Sequence, residues 1–172
     1  MNKSEYSKKQ ITTALIEMLQ TVSLDQITIT SLVTKAKVSR NAFYNNYHSI
    51  EDILKEVYRQ AHQKTFQNKY KDIHYFTSDE AIQDFISFFD ENTQLLLALN
   101  KWDLLPYISK YNTEAVLQSL DQGNHFIQNH KEYFMIYYTI PYFNICYYWI
   151  LSGKKETASE LFQIIKTIQN YA

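Results

Sequence analysis

Arg40, Asn41, Tyr44 and Asn45 are the side chains of this sequence whose types and spacing suit recognition chemistry. At ~100° per residue of helix they fall within an arc of roughly 140°, while Ala42, Phe43 and Asn46 point the other way. An arginine pairs with guanine edges or phosphates, an asparagine with adenine, and a tyrosine hydroxyl donates to a phosphate oxygen. One face of such a helix can pack and the other can read a duplex. Taken alone, Arg40 and Asn41 are also ordinary solvated side chains, and Tyr44 and Tyr47 are ordinary packing in an aromatic-rich domain. The opposed directions of the two tyrosines assign Tyr47 to the core and Tyr44 to phosphate contact.

The elements that must hold this face are legible around it. From Ile27 to Leu54 the chain reads ITITSLVTKAKVSRNAFYNNYHSIEDIL, two short helices joined by a tight turn and followed by a longer one. Leu32, Val33 and Ala36 are the apolar positions of the first, with Thr28 and Thr30 as candidate caps; Ser39 caps the second. Upstream, Ile11, Leu15, Met18, Leu19 and Val22 recur at helical spacing, so a helix from about Ser4 to Thr21 roofs the pair, with Lys8 and Lys9 near its start.

These residues resemble the DNA-binding head of the TetR family of transcriptional regulators. That head carries an apolar-Thr-apolar start, then Ala-Gly-Val-Ser, a small residue, Phe-Tyr, and an aromatic three residues on. Here the matching positions are Ile27-Thr28-Ile29, Ala36-Lys37-Val38-Ser39, Phe43-Tyr44 and Tyr47, in register over some 45 residues. The chain departs from the pattern twice. Lys37 stands at the turn glycine, and Ile50 stands where a lysine usually touches phosphate. An Ile50→Lys change is therefore expected to raise the affinity of a true operator binder.

Composition agrees with a helical protein. In 172 residues, 45% apolar and 16% aromatic, only two Gly and two Pro punctuate the chain, and no alternating strand pattern stands out; the class is all-α. The net charge of −1 is unevenly spread. Residues 1 to 47 hold six basic side chains (Lys3, Lys8, Lys9, Lys35, Lys37, Arg40) against three acidic ones (Glu5, Glu17, Asp25), giving +3 and leaving −4 elsewhere. A basic head on an acidic body suits a protein that presents one end to nucleic acid. Cys146 is the lone cysteine, which forbids an internal disulfide and offers no metal-ligand spacing. With a polar N-terminus and no apolar run near the ~20 residues of a membrane span, the expectation is a cytoplasmic protein with no membrane partner.

Downstream, Ile50, Ile53, Leu54, Val57, Tyr58 and Ala61 predict a helix capped by Ser49 and running to about Tyr70, a lever shared by head and body. Lys71 to Ser78 reads as a loop. Helices follow over Ser78 to about Asn100 (Ile82, Phe85, Ile86, Phe89), from about Thr113 to Asn129 (Val116, Leu117, Leu120, Ile127), over Lys131 to Ser152, and over Glu156 to Tyr171. The Lys131–Ser152 helix is aromatic all round, which predicts burial on several sides, and Pro141 within it predicts a kink. Gly153 reads as the cap between the last two helices.

Phe85, Phe89, Trp102, Tyr107 and Phe126 are candidates to line a small-molecule pocket, though most such aromatics are core. The five histidines form no i, i+4 pair, and there is no phosphate loop or nucleophile elbow, so no metal, no cofactor and no enzymatic activity are expected. The sequence Trp149-Ile150-Leu151-Ser152-Gly153 also resembles the C-terminal region of TetR-like regulators, whose last two helices pair with a second subunit as a four-helix bundle. The resemblance implies a homodimer using Tyr138, Tyr142, Ile145, Trp149, Leu161, Ile164, Ile165 and Ile168.

Together these readings give about nine helices. A three-helix helix-turn-helix head spans residues 1–48, and a helical ligand-binding and dimerisation body spans 49–172. The resemblance implies a repressor of a palindromic double-stranded DNA operator, responsive to an unknown small-molecule effector. Thr28, Thr30, Lys37, Ser39, Arg40, Asn41, Tyr44 and Asn45 would meet the DNA. The alternative is a TetR-fold coactivator or protein-interaction module with reduced DNA binding, similar to coactivators of small-metabolite kinase operons.

Overall fold

A computed structural model describes residues 2–106 and 125–171. Among them are eight α-helices and no strand: α1 Lys3–Leu19, α2 Ile29–Ala36, α3 Arg40–Tyr44, α4 Ile50–Phe66, α5 Asp79–Glu91, α6 Thr93–Lys101, α7 His125–Leu151 and α8 Ala158–Tyr171. Among the described residues the fold is all-helical. The helix expected from Thr113 lies outside the described residues, apart from its last few positions, which open α7. Two compact units divide the chain: residues 2–60 with 94–106, and residues 61–93 with 125–171. The division falls inside α4, between Gln60 and Ala61.

In the first unit each short helix begins on a side-chain cap. Asn2 and Glu5 exchange hydrogen bonds of 2.9 Å at the start of α1. Thr28 Oγ1 accepts from the Ser31 amide at 3.1 Å, with the Ser31 hydroxyl reaching back to Thr28. Ser39 Oγ accepts from the Ala42 amide at 3.1 Å, and Ser49 and Asp52 pair reciprocally at 3.1 Å. Such caps satisfy amides that a helix start leaves orphaned, typically ~1 kcal/mol each. α1 packs on α2 and α3. Ile11, Leu15 and Leu19 meet Leu32 and Phe43 in a core where all five are fully buried. α6 buries Leu95, Leu96, Ala98 and Leu99 in this unit. Trp102 Nε1 donates to the Leu19 carbonyl at 2.7 Å and Lys101 Nζ to the Gln20 carbonyl at 2.6 Å, occupying oxygens that the end of α1 would otherwise leave unpaired.

The turn after α2 is closed by Lys37 in the left-handed region, φ 54° and ψ 41°. The Lys37 amide donates to Thr34 O at 3.2 Å and the Val38 amide to Val33 O at 3.1 Å, the two bonds of a Schellman closure. A side chain with a Cβ is disfavoured there by ~1–2 kcal/mol, and glycine regains part of that after its extra unfolded-state entropy is counted. Lys37→Gly is therefore expected to stabilise the protein by about 1 kcal/mol, read as a higher urea midpoint at unchanged slope.

The second unit is built around α5, which buries Ala81, Ile82, Phe85, Ile86, Phe88 and Phe89 and packs against both α7 and α8. Ion pairs Lys154–Asp90 and Lys166–Asp79 link its two ends to the α7–α8 connection and to α8. Gly153 at φ 85° ends α7 with the same two-bond closure, Gly153 N to Ile150 O and Lys154 N to Trp149 O.

Three boundaries differ from the sequence pattern. α4 ends at Phe66, because Asn68 turns left-handed at φ 66° and short 3-10 turns, Lys69–Lys71 and Ile73–Thr77, follow. The helix expected over Ser78–Asn100 is two helices. Asn92 leaves the helical region at φ −109° and ψ 17° while its amide still donates to the Phe88 carbonyl at 3.1 Å, and the Thr93 hydroxyl donates to the Phe89 carbonyl at 2.8 Å. The last helix begins at Ala158, behind a Thr157–Glu160 cap. In α7 the backbone leaves helical dihedrals at His130 (φ −131°, ψ 22°), where the sequence pattern divides two helices, and keeps them at Pro141. Pro141 and Tyr137 are both exposed, so water can take the carbonyl that the proline leaves without a donor.

His62, on the α4 segment of this unit, lies among Phe66, Tyr70 and Phe88 rings at 4.8, 5.7 and 6.2 Å, its Nε2 3.2 Å from the Tyr70 hydroxyl. Burial pushes its pKa down from 6.5 to about 4. Unfolded chains bind this proton from about pH 6.5 downward and native chains only near pH 4, so the stabilisation present above pH 6.5 is lost across that window. Melting temperature should fall on acidification from pH 6.5 to 4.5, and His62→Gln should flatten that slope.

Candidate nucleic-acid interface

The α3 helix places its side chains in two opposed sets. Phe43 and Tyr47 are buried, with ring centroids 6.2 Å apart, and Ala42 and Asn46 are half-buried beside them. Arg40, Asn41, Tyr44 and Asn45 are all exposed on the other side. Tyr44 stands edge-on to Phe43 at 5.4 Å, which props its ring upright while half of the residue meets solvent. Thr28, Thr30, Lys37 and Ser39 are exposed as well. The Thr28 and Ser39 oxygens are occupied as helix caps, and Thr28 Oγ1 also donates to Ser31 Oγ at 3.1 Å, while the Ser39 hydroxyl accepting one bond keeps a second lone pair and its proton.

Asn46 supplies a link that spacing did not disclose. Its Oδ1 accepts from the Ser4 hydroxyl and its Nδ2 donates to the Ala42 carbonyl, each at 2.6 Å, tying the start of α1 to the end of α3. A polar residue on the packing side of a short helix was the available signal. Lys8 Nζ lies 5.6 Å from the Tyr47 ring centroid, while burial, with the Glu56 charge second, pushes the Tyr47 hydroxyl up to about 12 and keeps it protonated. Lys35 is paired with Glu17 at 2.9 Å. Ile50 is buried in the first unit's core, so a lysine there would lose packing as well as add charge; Ile50→Lys does not isolate a phosphate contact.

The arrangement offers exposed hydrogen-bond donors and acceptors on a rooted helix. Among the described residues no group of three or more His, Cys, Asp or Glu gathers to hold a metal. No described helix is long and apolar enough to cross a membrane.

The other nominated sets are distributed differently. Phe85 and Phe89 lie buried in the second unit, Trp102 belongs to the first unit, Phe126 is 71% exposed, and Tyr107 lies outside the described residues. Of the residues assigned to subunit pairing, Tyr142, Trp149, Leu161 and Ile165 are buried within the protomer, Tyr138 and Ile145 are half-buried, and Ile164 and Ile168 are exposed. The apolar face open to solvent is a different set on α7: Tyr133, Ile136, Tyr137, Ile140, Tyr148 and Leu151. These fall within an arc of about 120°. α8 adds Ile164, Ile168 and Tyr171 within about 60°.

Compared with known proteins, the chain matches no family model, no curated protein and no solved structure.

Proposed function

We propose that this protein is a TetR-like transcriptional regulator whose first unit is a helix-turn-helix head reading a palindromic operator. The observation that carries this is the exposed quartet Arg40, Asn41, Tyr44 and Asn45 on one side of α3, backed by buried Phe43 and Tyr47. Two copies paired through the outer faces of α7 and α8 would carry two heads, and a palindrome read in successive major grooves needs its reading helices roughly 34–36 Å apart. Because α4 contributes residues to both units, an effector held in the second unit would act on the head through it. Moving such an equilibrium from 1:99 to 99:1 takes ~5.5 kcal/mol of differential affinity.

The test is fluorescence anisotropy on DNA from the protein's own upstream region, at two salt concentrations, beside scrambled DNA of equal length. Tight binding to the native sequence that weakens as salt rises is the expected result. Equal, weak binding to both overturns it in favour of the second reading, a coactivator or protein-interaction module of the same fold. Buried Ile50, standing where the family's phosphate-contacting lysine would be, favours that second reading.

A further inference from the structure

α3 is five residues long, too short to hold its own shape, so its orientation depends on what it packs against. Phe43 and Tyr47 anchor it by apolar burial, which sets its depth without setting a direction. A roll of ~10° about the axis carries atoms at the rim of a helix, about 5–6 Å out, through ~1 Å. That exceeds the ~0.5 Å span over which an N–H···O bond stays good. A directional contact is needed to stop the roll, and it comes from α1. Ser4, Ser7, Ile11 and Leu15 fall within an arc of about 80°, so the apolar seam of α1 continues toward its start as two serines. The buried Ser7 hydroxyl donates within α1, to the Lys3 carbonyl at 3.0 Å, whereas Ser4 donates across to Asn46 Oδ1 at 2.6 Å. Asn46 passes the restraint on. Its backbone amide donates to the Phe43 carbonyl at 2.9 Å, and its Nδ2 supplies a donor to the Ala42 carbonyl, four residues back, at 2.6 Å.

We propose that the Ser4–Asn46–Ala42 relay sets the roll of α3, making Asn46 a positioning residue and Ser4 a remote determinant of which bases Arg40 and Asn41 can meet. Ser4 lies forty-two residues from Asn46 in the chain and on a different helix, so it acts on the exposed face without belonging to it. The relay carries no charge, so it adjusts geometry and leaves the attraction to phosphates as it is. Its part in base discrimination rests on the DNA-binding reading; the restraint on α3 does not.

The experiment compares Ser4→Ala, Ser4→Thr and Asn46→Ala in the full chain by two readouts. Without DNA, amide hydrogen exchange across Arg40–Tyr44 should rise about 5-fold in Ser4→Ala, the worth of one hydrogen bond, with α4 unchanged and Ser4→Thr like the wild type. In anisotropy titrations, Ser4→Ala should cut the preference for native over scrambled DNA ~10-fold, comparable to one base contact. The salt slope should not change, Ser4→Thr should restore the preference, and adding Ser4→Ala to Asn46→Ala should cost nothing further. Equal weakening on both DNAs would make Ser4 a phosphate contact, and an effect of Asn46→Ala without one of Ser4→Ala would make Asn46 a base contact. Either overturns the proposal, as does unchanged exchange. A wild type that shows no preference for native DNA overturns the specificity role together with the regulatory reading, and exchange alone then decides the restraint on α3.

Discussion

Replacing Arg40 and Asn41 together by alanine is expected to abolish sequence-specific DNA binding while leaving the protein folded. A well-placed bidentate contact to a base discriminates by ~1–3 kcal/mol, so the pair accounts for roughly 2–6 kcal/mol, about 30- to 10⁴-fold in affinity for the native sequence. Both side chains are exposed, and the Ser39 cap, the Phe43 anchor and the Asn46 link are left intact. Alanine is also the better helix former, so the urea midpoint should hold or rise. Anisotropy on native and scrambled DNA separates this from a charge effect. Lys9→Ala should weaken both DNAs alike and reduce the salt slope by ~1, whereas the double variant should collapse the difference between them. If the double variant still discriminated the native sequence, α3 would not be the reading element.

The second large effect belongs to the outer face of α7. Tyr137 and Ile140 stand one turn apart and are 73% and 45% exposed in the protomer, within an apolar surface that monomeric proteins rarely leave uncovered. Tyr137→Glu with Ile140→Glu should cost the folded protomer almost nothing, since both carboxylates point into water. In a dimer closed over this face, two unpaired charges per chain would be desolvated, at several kcal/mol each. The dimer should dissociate, with light scattering falling from the mass of two chains to that of one and operator affinity falling with it. A variant that stayed dimeric would place the interface elsewhere. Trp149→Glu would not be an equivalent test, because Trp149 is buried within its own protomer and donates to the Glu156 carbonyl at 2.8 Å.

What was legible in the sequence was local. The Thr28 and Ser39 caps, the Leu32, Val33 and Ala36 stripe, and the opposed directions of Tyr44 and Tyr47 depend on residues within four positions of one another, and the structure has each as expected. The proposed DNA role, effector and subunit pairing involve partners, which intrachain spacing does not encode. Lys37 was recognisable as a departure, but only the backbone shows that the turn demands a positive φ there. The break between α5 and α6 escaped because Phe89 and Leu96 keep the helical period across it, while Asn92, whose backbone leaves the helical region at φ −109° and ψ 17°, looks like an ordinary polar position. On α7 the periodicity carried no direction. Aromatic residues lie all round that helix, so only its tertiary contacts, those with α5 among them, separate buried Tyr142 and Trp149 from exposed Tyr137 and Tyr148.

Cys146 stands on the inner side of that same helix, the single thiol of the chain and fully buried, with its pKa pushed up to about 12 by burial. A thiolate is the species that alkylating reagents attack, so the folded second unit hides its one reactive atom both sterically and electronically. Each alkylation event then reports one opening of the second unit around α7. The molecule thus carries an intrinsic clock for breathing in the body, one that runs without an added label and leaves the cysteine-free head untouched.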